Sequence, residues 1–374
     1  MAQLAPRLIG QGLHLEIVTL FDVPNDLSDE LRASGVTVHN LHGSGGWRPD
    51  QVLPRLWRLV RGRPFDVFWG GLYFGNLYAR AAQLMRPGSA CVVTLRSQLD
   101  TGHRPKWNPK NLSRVLLGQV LRSASTVVAN SQATAREHRD AFRLRSVRVV
   151  YNGVNVAALS ALADSTSTPE TRSGLGVRDD DFLIVTPGRF VRDKGHAVLL
   201  EAIMLLKTRH DFIPRVFAFG QGPLKEDLRQ QVERMGLLES VTIAPVTPQR
   251  ELFRVMAAAD CVVLPTFTES FGMAVAEAMA LGVPAIASRV GGLIEIDGGE
   301  GVVLLVPPAA PGALADAISK LRNDRDFAAS LASRARTRIG EHFDLDRCVD
   351  GWSRVLRDAA ARPRSGQLSG ASSE

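Results

Sequence analysis

The chain has 374 residues, of which 45% are hydrophobic and 22% charged, a composition typical of a folded globular protein with room for two domains. Its apolar runs are short and its first ten residues lack a long apolar segment, which argues against a transmembrane helix and a secretory signal. The three cysteines have no metal-binding spacing, so we expect them to be buried and reduced, as in a cytoplasmic protein.

The positive charge is concentrated in the first part of the chain. Residues 1–160 hold 20 Lys and Arg against 10 Asp and Glu, whereas residues 161–374 hold 25 against 28. A basic half is typical of proteins that meet nucleic acid, an anionic membrane or an anionic substrate, and also of Arg-rich proteomes. Aromatic residues make up only 6% and no nucleic-acid motif occurs, so we expect no nucleic-acid partner.

The chain begins with a helical pattern at Leu4, Leu8 and Ile9, and short apolar runs rich in β-branched residues then alternate with helical patterns. This alternation predicts an α/β protein with doubly wound parallel sheets. The runs predicted as strands are Leu15–Leu20, Val67–Trp69, Cys91–Leu95, Thr126–Ala129, Val147–Tyr151, Phe182–Pro187, Arg215–Phe219, Val241–Ala244, Cys261–Leu264 and Ala285–Ala287.

The order of these patterns predicts the domain boundaries. Because a doubly wound domain normally starts with a strand, a chain that starts with a helix is expected to lack the first strand of its N-terminal sheet. Asp164 to Gly174 is rich in Ser and Thr and predicts a linker. We therefore expect an N-terminal domain over 1–160, a linker over 161–175, a C-terminal domain over 176–343, a last amphipathic helix over 344–361 and a disordered tail over 363–374.

Two basic segments of the first half have more than one interpretation. Arg48 to Arg63 interleaves arginines with leucines and Trp57, which suits a helix on an anionic membrane and, more often, a crossover helix with its apolar face on the sheet. The loop Arg104 to Lys110 contains Trp107 and suits an anionic lipid or glycan.

The densest motif runs from Val262 to Ala287. A predicted strand ends at Pro265, a polar loop from Glu269 to Gly272 follows, and a helix then extends to Leu281. The start of a helix offers unpaired N–H groups and positive charge, which suit a phosphate. Glu269 and Glu277 are eight residues apart, roughly 12 Å along a helix axis, so they can hold hydroxyls at opposite ends of a ligand.

Two glycine loops follow predicted strands in the same half. Gly188 to Gly195 carries Arg189 and Lys194 and is a plausible clamp for a diphosphate. The loop from Gly220 to Gly222 lacks the third glycine of a dinucleotide-binding fingerprint. No Walker A, zinc or nucleophile-elbow pattern occurs.

In this order and spacing, the motifs resemble those of the retaining glycosyltransferases of family four, which have the GT-B architecture. The most specific match is the E-x7-E pair within P-T-x-x-E-S-F-G…E-A-M-A-x-G-x-P. Further matches are Gly188-Arg189 with Lys194-Gly195, Gly220 with Gly222-Pro223, Gly291-Gly292 with Glu295, Gly301 with Pro307, Ala129-Asn130-Ser131 and Tyr151 to Val154. The resemblance extends from about residue 2 to 360, and it implies two Rossmann-like domains with the 344–361 helix crossing back to the first.

The resemblance also implies roles. Glu277 would accept hydrogen bonds from the ribose hydroxyls, and Glu269 would hold hydroxyls of the transferred sugar. Arg189 and Lys194 would neutralise the leaving diphosphate, in place of a divalent metal. Phe271, Gly272 and Met273 would offer their N–H groups to the distal phosphate. The remaining donor-binding positions are Ser270, Gly188, Gly220 and Gly222.

No cofactor or metal is expected, and the co-substrate would be a UDP- or GDP-linked sugar. The departing phosphate would help to deprotonate a glycan or lipid-linked acceptor, in a front-face mechanism that retains configuration. We expect a cytoplasmic enzyme of polysaccharide or glycolipid synthesis, peripheral on the inner face of the cytoplasmic membrane. The alternatives are a truncated sugar-nucleotide-binding protein without turnover, a sugar-nucleotide epimerase on a similar fold, and a phosphorylase, for which no pyridoxal-binding lysine is evident.

Two positions depart from the family pattern. Where the family commonly has a His after the third of these strands, this chain has Arg96, and His103 follows seven residues later. Both are acceptor-side candidates, and Arg96 suits a phosphate or an acidic sugar and equally a structural ion pair. The glycine-rich loop that the family has after its first strand would lie before Met1, which puts turnover in doubt.

Overall fold

The computed structural model describes residues 3–21, 28–43, 48–99 and 109–361. The chain forms two compact units, one of residues 1–151 with 346–374 and one of residues 152–345. The basic segment 104–108, His103 and the tail 363–374 lie outside the described residues.

Unit 1, which comprises 1–151 and 346–374, contains two separate parallel sheets. The longer sheet has the order β3-β4-β5-β6 and the shorter one is β1-β2. The strands are β1 (Glu16–Phe21), β2 (Thr37–Gly43), β3 (Val67–Gly70), β4 (Ala90–Leu95), β5 (Thr126–Ala129) and β6 (Arg148–Val149). The middle of β4 is fully buried, as a parallel strand covered on both faces should be.

Helices cover the sheets of unit 1. They are α1 (Leu4–Gly10), α2 (Ser28–Ala33), α3 (Pro49–Val60), α4 (Leu72–Met85), α5 (Pro109–Ser123) and α6 (Gln132–Phe142). The last helix of the chain, residues 345–360, joins unit 1 from Asp346 onward. There Trp352 packs against Trp69 of β3 with ring centroids 4.3 Å apart and the rings tilted by 34°.

Helix α3 is the basic amphipathic segment of the sequence, and its apolar face is already occupied. Val52, Leu56 and Val60 are buried in a cluster with apolar residues of β1, β2 and α4. Trp57 stays 46% exposed, with the guanidinium of Arg61 4.8 Å from its ring centroid. The structure therefore gives α3 the packing of a crossover helix.

Unit 2, residues 152–345, has one sheet of six parallel strands in the order β12-β11-β10-β7-β8-β9. The strands are β7 (Leu183–Pro187), β8 (Arg215–Phe219), β9 (Val241–Ala244), β10 (Cys261–Leu264), β11 (Ala285–Ser288) and β12 (Leu304–Val306). From β7 the chain adds β8 and β9 on one side, and then β10 to β12 on the other. The order thus reverses between β7 and β10, and the loops that leave these two strands meet at this switch point.

The helices of unit 2 complete a doubly wound domain. They are α7 (Val156–Ser165), α8 (Thr168–Gly174), α9 (His196–His210), α10 (Lys225–Arg234), α11 (Gln249–Ala257), α12 (Met273–Leu281), α13 (Gly291–Asp297), α14 (Pro311–Asn323), α15 (Arg325–Phe343) and, at its first residue only, α16 (Leu345–Ala360). Two Rossmann-like units with parallel sheets confirm the predicted fold class.

The predicted linker is wrong, because residues 161–175 are mostly helical. Pro169 lies in the first turn of α8, where its missing N–H has no helical partner to lose. Arg172 is buried and pairs with Asp260 at 3.1 Å, so α8 is part of the folded unit. The chain passes between units at residues 151–152 instead of near 160.

Two further findings concern the sequence predictions. The cysteines Cys91, Cys261 and Cys348 are all buried and free. Of the described helices, none has both the length and the hydropathy to cross a membrane.

Candidate functional site

The loops after β7 and β10 are joined at the switch point of unit 2. The backbone N–H of Phe267 donates to the carbonyl of Asp193 at 2.8 Å, and the buried Thr266 hydroxyl lies 2.6 Å from the same oxygen. Gly195 has φ +66°, and a Cβ there would lie 1.9 Å from the carbonyl oxygen of Pro265. Only glycine permits this contact, which sets the position of the two loops.

An ion pair connects the side chains of the two loops. Lys194 Nζ donates to Glu269 Oε2 at 2.6 Å, and the two side chains are 20% and 14% exposed. The second oxygen of Glu269 accepts from the backbone N–H of Ser270 at 3.1 Å. The structure thus brings together Lys194, which the resemblance assigns to the leaving diphosphate, and Glu269, which it assigns to the transferred sugar.

Helix α12 begins at this ion pair with an exceptional backbone conformation. Gly272 is its N-cap, with φ +108°, and no side chain caps the helix. A Cβ at Gly272 would lie 2.5 Å from a methyl carbon of Leu293. The preceding Phe271 is buried against Phe343, with ring centroids 5.6 Å apart. The start of α12 therefore offers uncapped N–H groups and the positive charge of the helix dipole, and the packing of Leu293 and Phe343 against this segment holds it in place.

Glu277 lies one turn into α12 and is partly buried. Its carboxyl has no hydrogen-bond or ion-pair partner among the described residues, and burial alone raises its pKa to about 7. A structural carboxylate at such a position normally has a donor or a cation beside it. Among the residues that the structure describes, Glu277 is therefore a desolvated carboxyl without a partner.

The remaining donor-side positions frame these groups. Ser270 and Met273 are partly buried, whereas Arg189 is exposed and has no ion-pair partner among the described residues. The two glycines after β8 contact the loop after β7, since Cβ atoms at Gly220 and Gly222 would lie 1.9 and 2.3 Å from carbonyl oxygens of that loop. A direct contact of these glycines with a donor stays a prediction.

Of the two acceptor-side candidates, the structure describes one. Arg96 is exposed and follows β4 directly, at the carboxyl end of the strand. The other candidate, His103, lies outside the described residues. After the neighbouring strand β5, the buried Ser131 caps α6 by accepting from the N–H of Thr134 at 3.0 Å, which gives this Ser a structural role.

Sequence reasoning missed two residues of the site. Thr266 was visible only as the Thr of the P-T-x-x-E pattern, and its contact with Asp193 depends on the meeting of two distant loops. His196, the first residue of α9, is 7% exposed, and neither of its ring nitrogens has a hydrogen-bond partner. A single His after a Lys-Gly pair gave no signal of this burial.

Comparisons with known proteins place this architecture. A model of the group 1 glycosyl transferases matches residues 167–338, and a model of glycosyltransferase family 4 matches residues 1–158. Among solved structures, sucrose-phosphate synthase from Thermosynechococcus elongatus has a TM-score of 0.80 at 21% identity, over 95% of this chain and 91% of that one. Anabaena HepE, solved in complex with UDP, has a TM-score of 0.76 at 21% identity, over 96% of each chain.

Curated relatives include a D-inositol 3-phosphate glycosyltransferase of Paenarthrobacter aurescens, 29% identical over 94% of this chain and 88% of that protein. An uncharacterized glycosyltransferase of Methanocaldococcus jannaschii is 28% identical over 200 residues, and the match spans about half of that protein, 51%.

Two Rossmann-like units with parallel sheets are the fold that this chain shares with the solved GT-B glycosyltransferases. The two family models together span most of the chain, which belongs to the group 1 glycosyltransferases of family four.

Proposed function

We propose that this chain transfers a sugar from a UDP- or GDP-linked donor to an acceptor hydroxyl, with retention of configuration. The observation that carries the proposal is the arrangement on one helix of unit 2. The uncapped start of α12 lies beside the Lys194–Glu269 ion pair, and the unpartnered Glu277 lies further along the same helix. A cation, an anion-binding helix end and two carboxylates are the groups that a sugar diphosphate requires.

The donor would exchange the partners of this ion pair. Without a ligand, Lys194 and Glu269 neutralise each other at 2.6 Å. The diphosphate replaces Glu269 as the partner of Lys194, and hydroxyls of the sugar replace Lys194 as partners of Glu269. The N–H groups at Gly272 and Met273 receive the distal phosphate, and Glu277 accepts hydrogen bonds from the ribose hydroxyls.

The transfer step needs no protein nucleophile. The bond between the anomeric carbon and the phosphate oxygen breaks, and the acceptor oxygen forms its bond on the same face. The acceptor proton passes to the departing phosphate. Lys194 and the exposed Arg189 stabilise the negative charge that develops on the diphosphate, a contribution of about 3 kcal/mol for one well-placed donor.

We further propose that the reaction is independent of a divalent metal, since two cationic side chains supply the charge that a metal would supply. The prediction is that EDTA leaves the rate unchanged. A rate that falls with EDTA and recovers with Mg²⁺ or Mn²⁺ would contradict it.

The acceptor is proposed from charge and from the relatives. Unit 1 is the basic half, and Arg96 at the carboxyl end of β4 suits an anionic group. The name of the Paenarthrobacter relative gives D-inositol 3-phosphate as its acceptor. Phosphorylated polyols therefore join glycans and lipid-linked glycans as acceptor candidates.

The apolar face of α3 is buried within unit 1, so it does not support insertion of this helix into a membrane. Contact with an anionic membrane therefore stays a prediction that depends on charge alone. Flotation of the protein with anionic and neutral liposomes at low salt tests it, and equal flotation with both would remove it.

The proposed function is tested by product formation with the full chain. The donor candidates are UDP- and GDP-sugars. Mass spectrometry detects the product, and NMR determines its anomeric configuration. We expect Glu277→Ala to abolish most turnover while the fold is retained, and Glu201→Ala on the exposed face of α9 to leave it unchanged. Full activity of Glu277→Ala would refute the proposal. Donor binding without turnover would favour a binding protein, and an altered donor sugar without transfer would favour an epimerase.

A further inference from the structure

The imidazole of His196 is a buried polar group without a partner. The residue begins α9, directly after Gly195, and is 7% exposed. Neither ring nitrogen has a hydrogen-bond partner in the part of the chain that the structure describes, and the ring contacts the buried Phe190 edge to face at a centroid distance of 5.1 Å. Buried polar side chains nearly always have partners, so this one requires an explanation.

The ring is neutral at physiological pH. Burial, and secondly the nearby charge of Lys194, lower the pKa of His196 to about 4. A neutral imidazole has one N–H donor and one lone-pair acceptor. Neither is satisfied among the described residues, and an unsatisfied buried polar group costs stability relative to an apolar side chain of similar size.

The position of the ring connects it with the phosphate-binding loop. A Cβ on Gly188 would lie 4.0 Å from Cε1 of His196 and 3.7 Å from the stem carbons of Lys194. The imidazole and the lysine stem therefore border the same glycine, at the carboxyl end of β7. Packing alone would be served better by a leucine or a phenylalanine at this place.

We infer that His196 is a binding residue of the donor site, whose imidazole N–H donates a hydrogen bond to the diphosphate when a donor occupies the loop of Gly188 to Gly195. The inference rests on the proposed function. The histidine thus makes the empty loop less stable and the occupied loop more stable, which favours the donor-bound state.

The test compares two variants in the full chain, with UDP and GDP as probes. His196→Leu removes both polar atoms at similar volume, and His196→Gln keeps one donor and one acceptor. For His196→Leu we expect an unchanged or higher melting temperature without ligand and about tenfold weaker nucleotide binding by calorimetry. We expect His196→Gln to recover part of the affinity, and the loss to appear in the KM for the donor more than in kcat.

The opposite pattern refutes the inference. If His196→Leu lowers the melting temperature and leaves the affinity unchanged, the ring serves only to pack against Phe190. A second measurement uses the wild-type protein and therefore needs no folded variant. The imidazole nitrogen-15 NMR signals of His196 should shift when the protein is saturated with nucleotide. Ring signals that stay in place at saturation also refute it. Absence of UDP and GDP binding by the wild type would instead refute the proposed function, and the inference with it.

Discussion

Replacing Glu277 by Gln should stabilise the ligand-free protein, and by an amount that depends on pH. Desolvation raises the pKa of the carboxyl from 4.5 to about 7 in the folded chain. Between these two values the folded state binds more protons than the unfolded state. The free energy of unfolding therefore falls as the pH rises from about 4.5 through 7, and the stability contributed by the protonated carboxyl is lost above that range.

The magnitude follows from the shift of the pKa. A difference of two to three pKa units corresponds to about 3 kcal/mol, all of which the ionised wild type loses at pH 8. The neutral Gln does not ionise, so Glu277→Gln should be more stable than the wild type by up to that amount at pH 8, and nearly equal to it at pH 4.5. For a unit of this size, about 3 kcal/mol corresponds to roughly 6 to 12 °C in Tm.

Thermal unfolding at several pH values, without ligand, measures this difference. Glu201→Gln is the matched control, because Glu201 is exposed on α9 and its replacement should change the stability by less than about 0.5 kcal/mol. A stability difference between Glu277→Gln and wild type that is the same at pH 4.5 and pH 8 would show that the carboxylate is not desolvated in solution. Glu277 would then be a solvated carboxylate and would give no support to the proposed donor site.

Two further substitutions test the loops. Gly272→Ala should lower the free energy of unfolding by at least about 1 kcal/mol more than the control Gly236→Ala does. Both positions have positive φ, but only Gly272 has a side chain within 2.5 Å of the new Cβ. Chemical denaturation measures the two losses, and equal losses would contradict the contact with Leu293. Lys194→Met should lower kcat by about a hundredfold or more, because the cation that stabilises the diphosphate is lost. Lys207→Met, on the exposed end of α9, should leave kcat unchanged. Steady-state kinetics measure both, and an unchanged kcat for Lys194→Met would contradict its electrostatic role.

Strand patterns and the chemistry of unit 2 could be predicted because both are local. All ten apolar runs are strands in the structure, since buried parallel strands are apolar on both faces. The P-T-x-x-E-S-F-G pattern likewise contains its own turn, helix start and carboxylate. The Lys194–Glu269 contact was not predicted, because it joins residues 75 apart through the adjacency of β7 and β10.

Other features required tertiary information. The strand β2 was missed because its sequence is polar and rich in His, with only Leu41 and Gly43 buried, and β12 was missed because it has three residues. The segment 161–175 has the composition of a linker, but Arg172 finds Asp260 and several backbone carbonyls within unit 2. Weak local propensity was overridden by these contacts.

The physical pattern of the site is a set of polar groups that the chain leaves unsatisfied. Structural carboxylates in the same unit are fully bonded: Asp297 accepts three backbone N–H groups and Asp260 contacts two arginines. Glu277 and His196 have no such partners although the same fold could have provided them. Both lie on the helices that begin at the joined loops. A ligand that supplied the missing partners would remove this cost, so the unsatisfied groups support the proposed donor site beside the joined loops.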